Sequence, residues 1–445
     1  MNQNKKKTLV IVIIIVCVVL IVAGFLIWYT RNFSERDTEL SIVTVWDMPY
    51  DNENHRMDTD GADFSVRLQR QGFEKGFYDN LNGLSVYEFL MSEGSDFRTF
   101  TADIANLCNS TDILLSVGAS TDEATMNTAM EMNYFKIPML IPFGDGDLSG
   151  SSGSTFSLRM TPTADNYADF IGNLFPAYLV NYINGYVFEN LPVPDYSVKL
   201  GVFFADNFNG HEIGVKLTQK LMDNGMDIQV YQPFSEDDLL RTVRTAWDSD
   251  GAMMEGLDAV IILAEDHDDL PNLLAVLDTW DQRGLKPQFI VTGYYPETVD
   301  EKLVNMDNFF VVQQVINIQN CPAEINTRSE AMGYAAGYIA SKALYAAYQN
   351  TKMKTSGFEW LMSAGNQRMR IREDYISNLR NNIHSEIRGM AESIPCYGYI
   401  NFESAENNRV SLEIVRLTGN ESYSPVDPSV IFYRMVNIIR SQFDL

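Results

Sequence analysis

Residues 112–142 read DILLSVGASTDEATMNTAMEMNYFKIPMLIP, and this stretch decides the fold class. Residues 112–116 form an apolar run that is typical of a buried strand, and the run ends at Val117-Gly118. A helical pattern follows over residues 122–133, and a second strand-like run covers residues 137–141. Two strands that are joined by one helix run parallel, because the helix returns the chain to the edge of the sheet where it began. The stretch therefore predicts a βαβ unit.

The same alternation of strand and helix patterns continues on both sides of this unit. On the N-terminal side, residues 41–45 are strand-like, and a helical pattern follows in which Gly72 and Gly76 stand four residues apart for close packing. On the C-terminal side, four more strands are predicted, at residues 198–204, 226–230, 257–263 and 288–292. Repeated βα units of this length predict two parallel sheets, each with helices on both faces. In such sheets a ligand binds at the carboxyl ends of the strands.

The composition excludes several classes of protein. The chain has 445 residues, of which 46% are hydrophobic and 21% charged, a balance that is typical of folded domains and not of disorder. Its formal net charge of -26 repels phosphate backbones, so we expect no nucleic-acid partner. The sequence contains no G-x-S-x-G, G-x-x-x-x-G-K-[ST], H-E-x-x-H or G-x-G-x-x-G motif. We therefore expect neither catalysis nor a cofactor.

The N-terminal segment predicts a membrane anchor. Residues 9–29 contain no charged residue, and their 21 positions reach about 31 Å as a helix, the thickness of a hydrocarbon core. Three lysines at positions 5–7 favour a cytoplasmic tail over residues 1–8, which places everything after the anchor outside the cell. The alternative is a cleaved signal peptide, for which Ala23-Gly24 is the candidate small pair. We expect an uncleaved single-pass anchor, a linker over residues 30–39 and an extracytoplasmic body.

Six short motifs follow one another between Asp112 and Asn420. They are residues 117–121 (VGAST), 137–142 (IPMLIP), 158–162 (LRMTP), 206–210 (DNFNG), 284–289 (GLKPQF) and 398–402 (GYINF). In this order they resemble the Gly-Pro-x-Ser-Ser turn, the I-P-x-I-S-P strand, the F-R-x-x-P crossover, and the D-x-x-Y-G, G-L-x-x-P-F-I and G-x-x-x-F segments of one family. That family is the leucine/isoleucine/valine-binding family of ABC-transporter substrate-binding proteins, which have the type I periplasmic-binding fold.

The resemblance implies an α/β architecture of two doubly wound parallel-sheet lobes joined by three crossovers, here preceded by the transmembrane helix. It places lobe 1 in residues 40–161 plus 318–402, and lobe 2 in residues 164–315 plus 406–420. The crossovers are expected near residues 161–164, 312–317 and 403–408. Residues 421–445 form a C-terminal tail, in which an apolar stripe predicts an amphipathic helix that is docked on the body or binds a partner. Such lobes close on a small ligand by hinge motion.

The resemblance also places eight candidate ligand-contacting residues at the cleft. They are Ser120, Thr121, Phe143, Gly144, Asp145, Asn209, Glu265 and Asp266. Ser120 and Thr121 precede a helix, whose free N–H groups suit a carboxylate, although a capping box of Ser120 and Glu123 explains the pattern without a ligand. Asp145 replaces a neutral hydroxyl of the family, and Asn209 stands at its cleft tyrosine. We therefore expect a small, polar, amino-acid-like ligand rather than a plain branched-chain amino acid.

Two acidic segments resemble metal sites without completing one. Residues 145–151 imitate the start of an EF-hand loop, but Phe156 occupies the twelfth position, where a glutamate is required. Residues 265–269 (EDHDD) are more typical of a solvated helix start than of a metal site. We therefore expect no bound metal. Cys321 and Cys396 fall in the same predicted lobe, where the sequence leaves open a disulfide or two buried thiols.

Three functions fit these observations. The first is a tethered binding protein that hands a small polar ligand to an ABC-type importer, and the second is a sensory ectodomain that signals through a partner chain. The third is an adapted fold with an interaction role and an empty cleft. The sequence alone does not separate them.

Overall fold

The computed structural model describes residues 18–24, 40–51, 56–57, 62, 64–93, 97–119, 122–143, 156–162, 164–175, 197–206, 208–235, 238–267, 272–294, 299–351, 365–402, 410–419 and 422–427. In this part of the chain two α/β lobes are built on two separate sheets, one of five strands and one of seven.

The first lobe begins at the N-terminal end of the body. Its elements are β1 (Leu40–Trp46), β2 (Tyr50–Asp51), β3 (Arg56–Met57), α1 (Phe64–Tyr78), β4 (Val86–Ser92), α2 (Phe97–Ser110), β5 (Ile113–Val117), α3 (Asp122–Tyr134), β6 (Met139–Ile141) and β7 (Ser157–Arg159). The strand order of its parallel sheet is β4-β1-β5-β6-β7. The βαβ unit predicted over residues 112–142 is confirmed, since β5 and β6 are parallel neighbours with α3 between them in the chain.

The second lobe follows. Its elements are α4 (Ala164–Phe175), β8 (Lys199–Ala205), α5 (Phe208–Asp223), β9 (Asp227–Phe234), α6 (Leu239–Ser249), α7 (Gly251–Glu255), β10 (Ala259–His267), α8 (Leu273–Asp281), β11 (Gln288–Tyr294), α9 (Glu301–Val304) and β12 (Phe309–Gln314). Buried apolar side chains cover both faces of this sheet, in two separate clusters. Helices therefore pack on both of its sides, as predicted.

The chain then returns to the first lobe. The elements there are α10 (Arg328–Asn350), α11 (Gly365–Arg388), β13 (Ala391–Ile394) and β14 (Gly398–Asn401). A capping box of Thr327 and Glu330 starts α10. The buried faces of α10 and α11 join the same hydrophobic cluster as β1 and α1, so the two helices cover one face of the first sheet.

The last two strands belong to the second lobe and differ from the prediction. These are β15 (Leu412–Gly419) and β16 (Ser422–Pro425), which extend the sheet to the order β16-β15-β12-β11-β10-β8-β9. Both are antiparallel to their neighbours, whereas we predicted a parallel sheet. The reason is the path of the chain, which enters β15 beside Gln314 at the carboxyl end of β12 and must run back along it. In addition, β16 lies beyond residue 420, where we placed the end of this lobe.

Helices α1 and α10 pack unusually closely through glycines. A Cβ atom on Gly72 would lie 2.1 Å from the backbone oxygen of Glu330, and one on Gly333 would lie 1.9 Å from that of Gln69. Gly76 and Gly337 repeat the contact one turn further on. The close packing predicted from the Gly72 and Gly76 spacing is confirmed.

Two further predictions concern the cysteines and the anchor. Cys321 and Cys396 form a disulfide, with Cα atoms 4.6 Å apart, so of the two alternatives the structure has the bonded one. Residues 18–24 are helical, and Val18, Leu20 and Ile21 are more than half exposed. In the part of the chain that the structure describes, no helix has both the length and the apolar character needed to cross a bilayer. Residues 9–17 and 25–29 lie outside the described part, so the anchor stays a prediction.

Candidate functional site

The path of the chain between the lobes locates a cleft. The first crossover follows Arg159, the last residue of β7, and the second follows Gln314, the last residue of β12. Both crossovers therefore leave their sheets at the carboxyl ends of the strands. Ligands of open α/β sheets bind outside these ends, so the space between the two carboxyl edges is the candidate site.

The crossovers meet at the backbone carbonyl of Met160. This oxygen accepts a hydrogen bond from Gln314 Nε2 at 3.3 Å and a second from the hydroxyl of the buried Tyr397. Beside it, Val315 N donates to the backbone oxygen of Ser411, which follows the third crossover, at 2.8 Å. A hydrogen-bonded junction thus ties the three chain crossings together, and hinge motion between the lobes has to act on it.

The predicted positions of the crossings need one correction. Residues 312–314 belong to β12, so the second crossing starts at Val315 and not at Val312. The reason is the pairing of β12 with its two neighbours. Its pairing with β11 ends at Val312, but its pairing with β15 continues to Gln314 and keeps the chain extended to that residue. The third predicted crossing, 403–408, lies outside the described residues.

Aromatic side chains pack in the core just beneath the carboxyl edge of the first sheet. Trp46 ends β1 and is fully buried, with its ring centroid 5.4 Å from that of Phe143 and 5.7 Å from that of Phe73. Phe143, a predicted ligand contact, is 3% exposed and lies in the hydrophobic core. Trp46 Nε1 is buried and has no hydrogen-bond partner in the described part of the chain. An unpaired buried donor costs about 1–3 kcal/mol. Because the Trp46 side chain is fully buried, a ligand reaches this N–H only if the aromatic cluster opens.

A buried ion pair supports Trp46 from below. The guanidinium carbon of Arg70 lies 5.6 Å from the centre of the Trp46 ring. Arg70 donates to both carboxylate oxygens of Glu88, at 3.0 Å for Nη2, and its Nη1 also donates to Thr44 Oγ1 at 3.2 Å. The Tyr78 hydroxyl donates to Glu88 at 2.8 Å. These contacts fix the arginine against the indole face and hold the aromatic cluster in place.

The charges of this network shift its pKa values. Burial alone raises the pKa of Glu88, but the hydrogen bonds and the positive charge of Arg70 outweigh burial and lower it overall. Burial and the Glu88 carboxylate together raise the pKa of the Tyr78 hydroxyl. Glu88 is therefore ionised at neutral pH and keeps Arg70 paired.

A polar pair forms the cleft edge of the second lobe. Asp206 directly follows β8, and its Oδ1 lies 2.8 Å from His211 Nε2 in the first turns of α5. Both side chains are about half exposed, and the His211 ring packs edge-on against Phe204 at 5.0 Å. The predicted contact Asn209 belongs to the same first turn of α5. This edge therefore offers a carboxylate and an imidazole to the cleft.

The other predicted contacts fall into two groups. Ser120, Thr121, Gly144 and Asp145 lie outside the described residues. Glu265 and Asp266, which we expected in a loop after a strand, belong to β10, because β10 continues to His267 and pairs there with Tyr294 of β11. The structure describes the backbone of these two residues only, and their contact with a ligand stays a prediction.

The structure also bears on the two acidic segments. Within the described residues, no group of three or more His, Cys, Asp or Glu side chains is arranged to hold a metal ion. Residues 145–151 and 268–269, which include most of the segments considered, lie outside that part. The expected absence of a metal therefore stays a prediction.

Sequence reasoning missed three features of the site. Trp46 directly follows the β-branched run of residues 41–45, so the sequence already placed it at the carboxyl end of the first strand. Ligand sites lie at such strand ends, and this position was a signal that could have been used. His211 follows the 206–210 motif directly and was not considered with Asp206. The hydrogen bonds to the Met160 carbonyl join residues that are far apart in the chain, and no local pattern reveals them.

Comparison with known proteins gives similar structures but no similar sequence. No family model matches the chain, and no curated protein matches it significantly. An ABC transporter substrate-binding protein from Desulfitobacterium hafniense, in complex with Leu, has a TM-score of 0.57 at 11% identity, over 87% of this chain and 100% of that one. The leucine-binding protein LivK from Thermotoga maritima gives 0.58 at 14% identity, over 87% and 98%.

A third similar structure is the branched-chain amino acid transporter substrate-binding protein LivJ from Streptococcus pneumoniae, in complex with isoleucine. Its TM-score is 0.54 at 11% identity, over 87% of this chain and 99% of that one. All three are described as substrate-binding or leucine-binding proteins. Their likeness extends over both lobes and agrees with the crossovers at the carboxyl edges of the sheets. The chain therefore has the type I periplasmic-binding fold.

Proposed function

We propose that this protein is a membrane-anchored extracytoplasmic binding protein, which captures a small, polar, amino-acid-like ligand between its lobes and delivers it to an ABC-type importer. The observation that carries the proposal is the junction at Met160, where crossovers from both carboxyl edges are tied together. Two lobes joined in this way can close on a ligand by bending at a few residues. Among the similar structures, two are described as complexes with leucine or isoleucine.

The chemistry of the two edges supports a polar ligand. The second lobe offers the half-exposed Asp206 carboxylate with His211 beside it, and the first lobe holds the Trp46 N–H as a buried donor that a ligand meets when the aromatic cluster opens. A molecule with a carboxylate and an amine would accept from the indole and donate to Asp206, as an amino acid does. Asp145, if it lies at the cleft as the resemblance implies, adds a further negative charge for a cationic group.

Localisation is a separate part of the proposal. Residues 9–29 supply a hydrophobic stretch of the right length, and the three lysines before it favour a cytoplasmic N-terminus. Membrane fractionation of cells that express the full chain tests it: we expect the protein in the membrane fraction and the body open to external protease. A partner importer is expected for delivery of the ligand, and its permease would be encoded nearby.

Ligand capture is tested by a thermal-shift screen of the full chain against amino acids, amides and sugars. A ligand at 100 times its dissociation constant adds about 2.7 kcal/mol of stability, so a binder raises the melting temperature measurably. Trp46→Phe keeps an aromatic ring but removes the donor, and we expect it to weaken the binder that the screen identifies. Asp145→Ala is expected to abolish the shift.

Trp247→Phe is the matched control. Trp247 is also buried, but its Nε1 is already paired with Thr279 Oγ1 at 3.3 Å in the second lobe, so this change should leave ligand affinity unaltered. If no compound in a broad screen raises the melting temperature, the transport proposal fails, and an interaction role for an empty cleft becomes the better explanation.

A further inference from the structure

A groove with an apolar floor runs along α4 in the second lobe. Its volume is about 440 Å³, and its floor is formed by Phe170 and Leu174 of α4 together with Val410, two residues before β15, and Leu412, the first residue of β15. Phe170 and Leu412 are only partly buried, although they pack on the main hydrophobic cluster of this lobe. An apolar floor of this kind is stabilised when another apolar element covers it.

The last described residues lead directly to this groove. Val426 N donates to the backbone oxygen of Ile414 at 2.9 Å, beside Leu412 in β15. The Val426 side chain packs, partly buried, against the same hydrophobic cluster as Phe170 and Leu412. Residues 428–445 therefore start next to the groove, on the face of the sheet that α4 covers.

The sequence of residues 428–445, PSVIFYRMVNIIRSQFDL, fits such a groove. Apolar side chains recur at helical spacing in this segment, at Ile431, Met435, Ile438, Ile439 and Phe443. As a helix its 18 residues would extend about 27 Å, more than the roughly 18 Å of the 12 residues of α4. The segment is thus long enough to cover the whole floor with one apolar stripe.

The side-chain charges of the two elements are opposite in sign, but those of α4 are largely neutralised by its neighbour α5. Residues 428–445 carry two arginines and one aspartate, although the chain as a whole has a net charge of -26. Helix α4 carries two acidic side chains and no basic one. These are Asp165 and Asp169, which are 59% and 65% exposed. Each carboxylate is already paired with a lysine of α5, Asp165 with Lys216 and Asp169 with Lys220, so the net positive side-chain charge of residues 428–445 adds only a weak attraction to that of the apolar contact.

We propose that residues 428–445 dock as a helix in the groove between α4 and β15, with their apolar stripe on Phe170, Leu174, Val410 and Leu412. The docked helix would contact both α4, the first element after the first crossover, and β15, the first strand after the third crossover. It would thereby restrain the part of the second lobe that lies next to the hinge. This proposal does not depend on the identity of the ligand or on the proposed transport role.

Limited trypsin digestion of the full chain, read by mass spectrometry, tests the docking. Arg434 and Arg440 should be cleaved slowly in the wild type, because a docked helix does not fit a protease site. Ile438→Glu puts a charge into the apolar stripe and leaves every residue of the two lobes unchanged. It should increase the rate of cleavage at both arginines at least tenfold. Asn437→Glu adds the same charge away from the stripe and should leave the rate unchanged.

The groove side is tested by Val410→Glu, which should also increase the rate of trypsin cleavage at Arg434 and Arg440. Ser411→Glu, at the neighbouring exposed position, is its control and should leave that rate unchanged. Hydrogen exchange of α4 supplies a second measurement: a chain that ends at Asp427 should exchange faster over residues 164–175 than the full chain. Equal trypsin rates in wild type and Ile438→Glu overturn the proposal. So does slow exchange of α4 that survives removal of residues 428–445, since another segment or a second copy must then cover the groove.

Discussion

Replacing Gly333 by alanine should force helices α1 and α10 apart and destabilise the first lobe. A Cβ atom at this position would lie 1.9 Å from the backbone oxygen of Gln69, 2.8 Å from its carbonyl carbon and 2.9 Å from the backbone nitrogen of Phe73. All three atoms are backbone, so no side chain can rotate out of the way. To restore a contact of at least 3.0 Å to the oxygen, the helices must separate by about 3.0 − 1.9 = 1.1 Å.

The size of the effect follows from two opposing contributions. Overpacking of a well-packed core costs about 1–3 kcal/mol, and backbone clashes belong at the upper end of that range. Alanine within a helix is more favourable than glycine by about 1 kcal/mol, which offsets part of the loss. The expected net loss is about 2 kcal/mol of unfolding free energy, or about 4–8 °C in melting temperature for a domain of this size. Because local helix propensity acts in the opposite direction, a loss can only come from the contact.

Scanning calorimetry of the wild type and the variant measures this shift, and Gly251→Ala is the matched control. A Cβ atom on Gly251 would have its nearest neighbour at 3.9 Å, in the Trp247 ring, so alanine fits there without movement. We expect Gly251→Ala to be neutral or stabilising by up to about 1 kcal/mol. If Gly333→Ala melts within a degree of the wild type, the helices do not approach as closely as described, and the packing argument fails.

Two further predictions concern the ion pair and the crossover junction. Glu88→Gln removes the more buried of the two carboxylates that pair with Arg70, while the half-exposed Glu74 stays 2.8 Å away, and should cost about 2 kcal/mol at pH 7. The lowered pKa of Glu88 means that its contribution is present above the ordinary value of 4.5 and is lost as pH falls through the folded pKa. Urea unfolding should therefore give a gap between wild type and variant that narrows in acid, and an equal gap at pH 7 and pH 3 contradicts this. Tyr397→Phe removes one donor from the Met160 carbonyl and should cost about 1 kcal/mol, measured in the same way. Tyr399→Phe, at an exposed side chain two residues away, should cost nothing, and equal effects of the two changes argue against the junction.

The sequence predicts those elements whose signals are local. The strands and helix of residues 112–142 appear in the structure within two residues of their predicted bounds, because apolar runs, a glycine turn and a helical pattern lie side by side there. Helix α11 was not predicted, although Ile376, Leu379, Ile383 and Ile387 stand at helical spacing. Its other faces are polar, and so only one narrow stripe carries the signal.

The candidate site is harder to predict, because its contacts join distant parts of the chain. Phe143 was predicted as a ligand contact from the loop that it starts; its ring packs on Trp46 and is 3% exposed, and its contact with a ligand stays a prediction. The prediction that all strands of the second sheet are parallel was wrong for β15, because the direction of this strand depends on where the third crossover enters the sheet. Local patterns contain neither kind of information.

The fold and the ligand are determined by different parts of this molecule. The fold of this chain rests on buried strands, the glycine contact of α1 with α10 and the junction at Met160. The overall fold is shared with the similar structures at only 11–14% identity. A ligand is chosen by side chains at the ends of strands, where loops vary without loss of the core. At those ends this chain has Trp46 on one lobe and the Asp206 and His211 pair on the other. The choice of ligand must therefore be argued from these side chains and not from the fold.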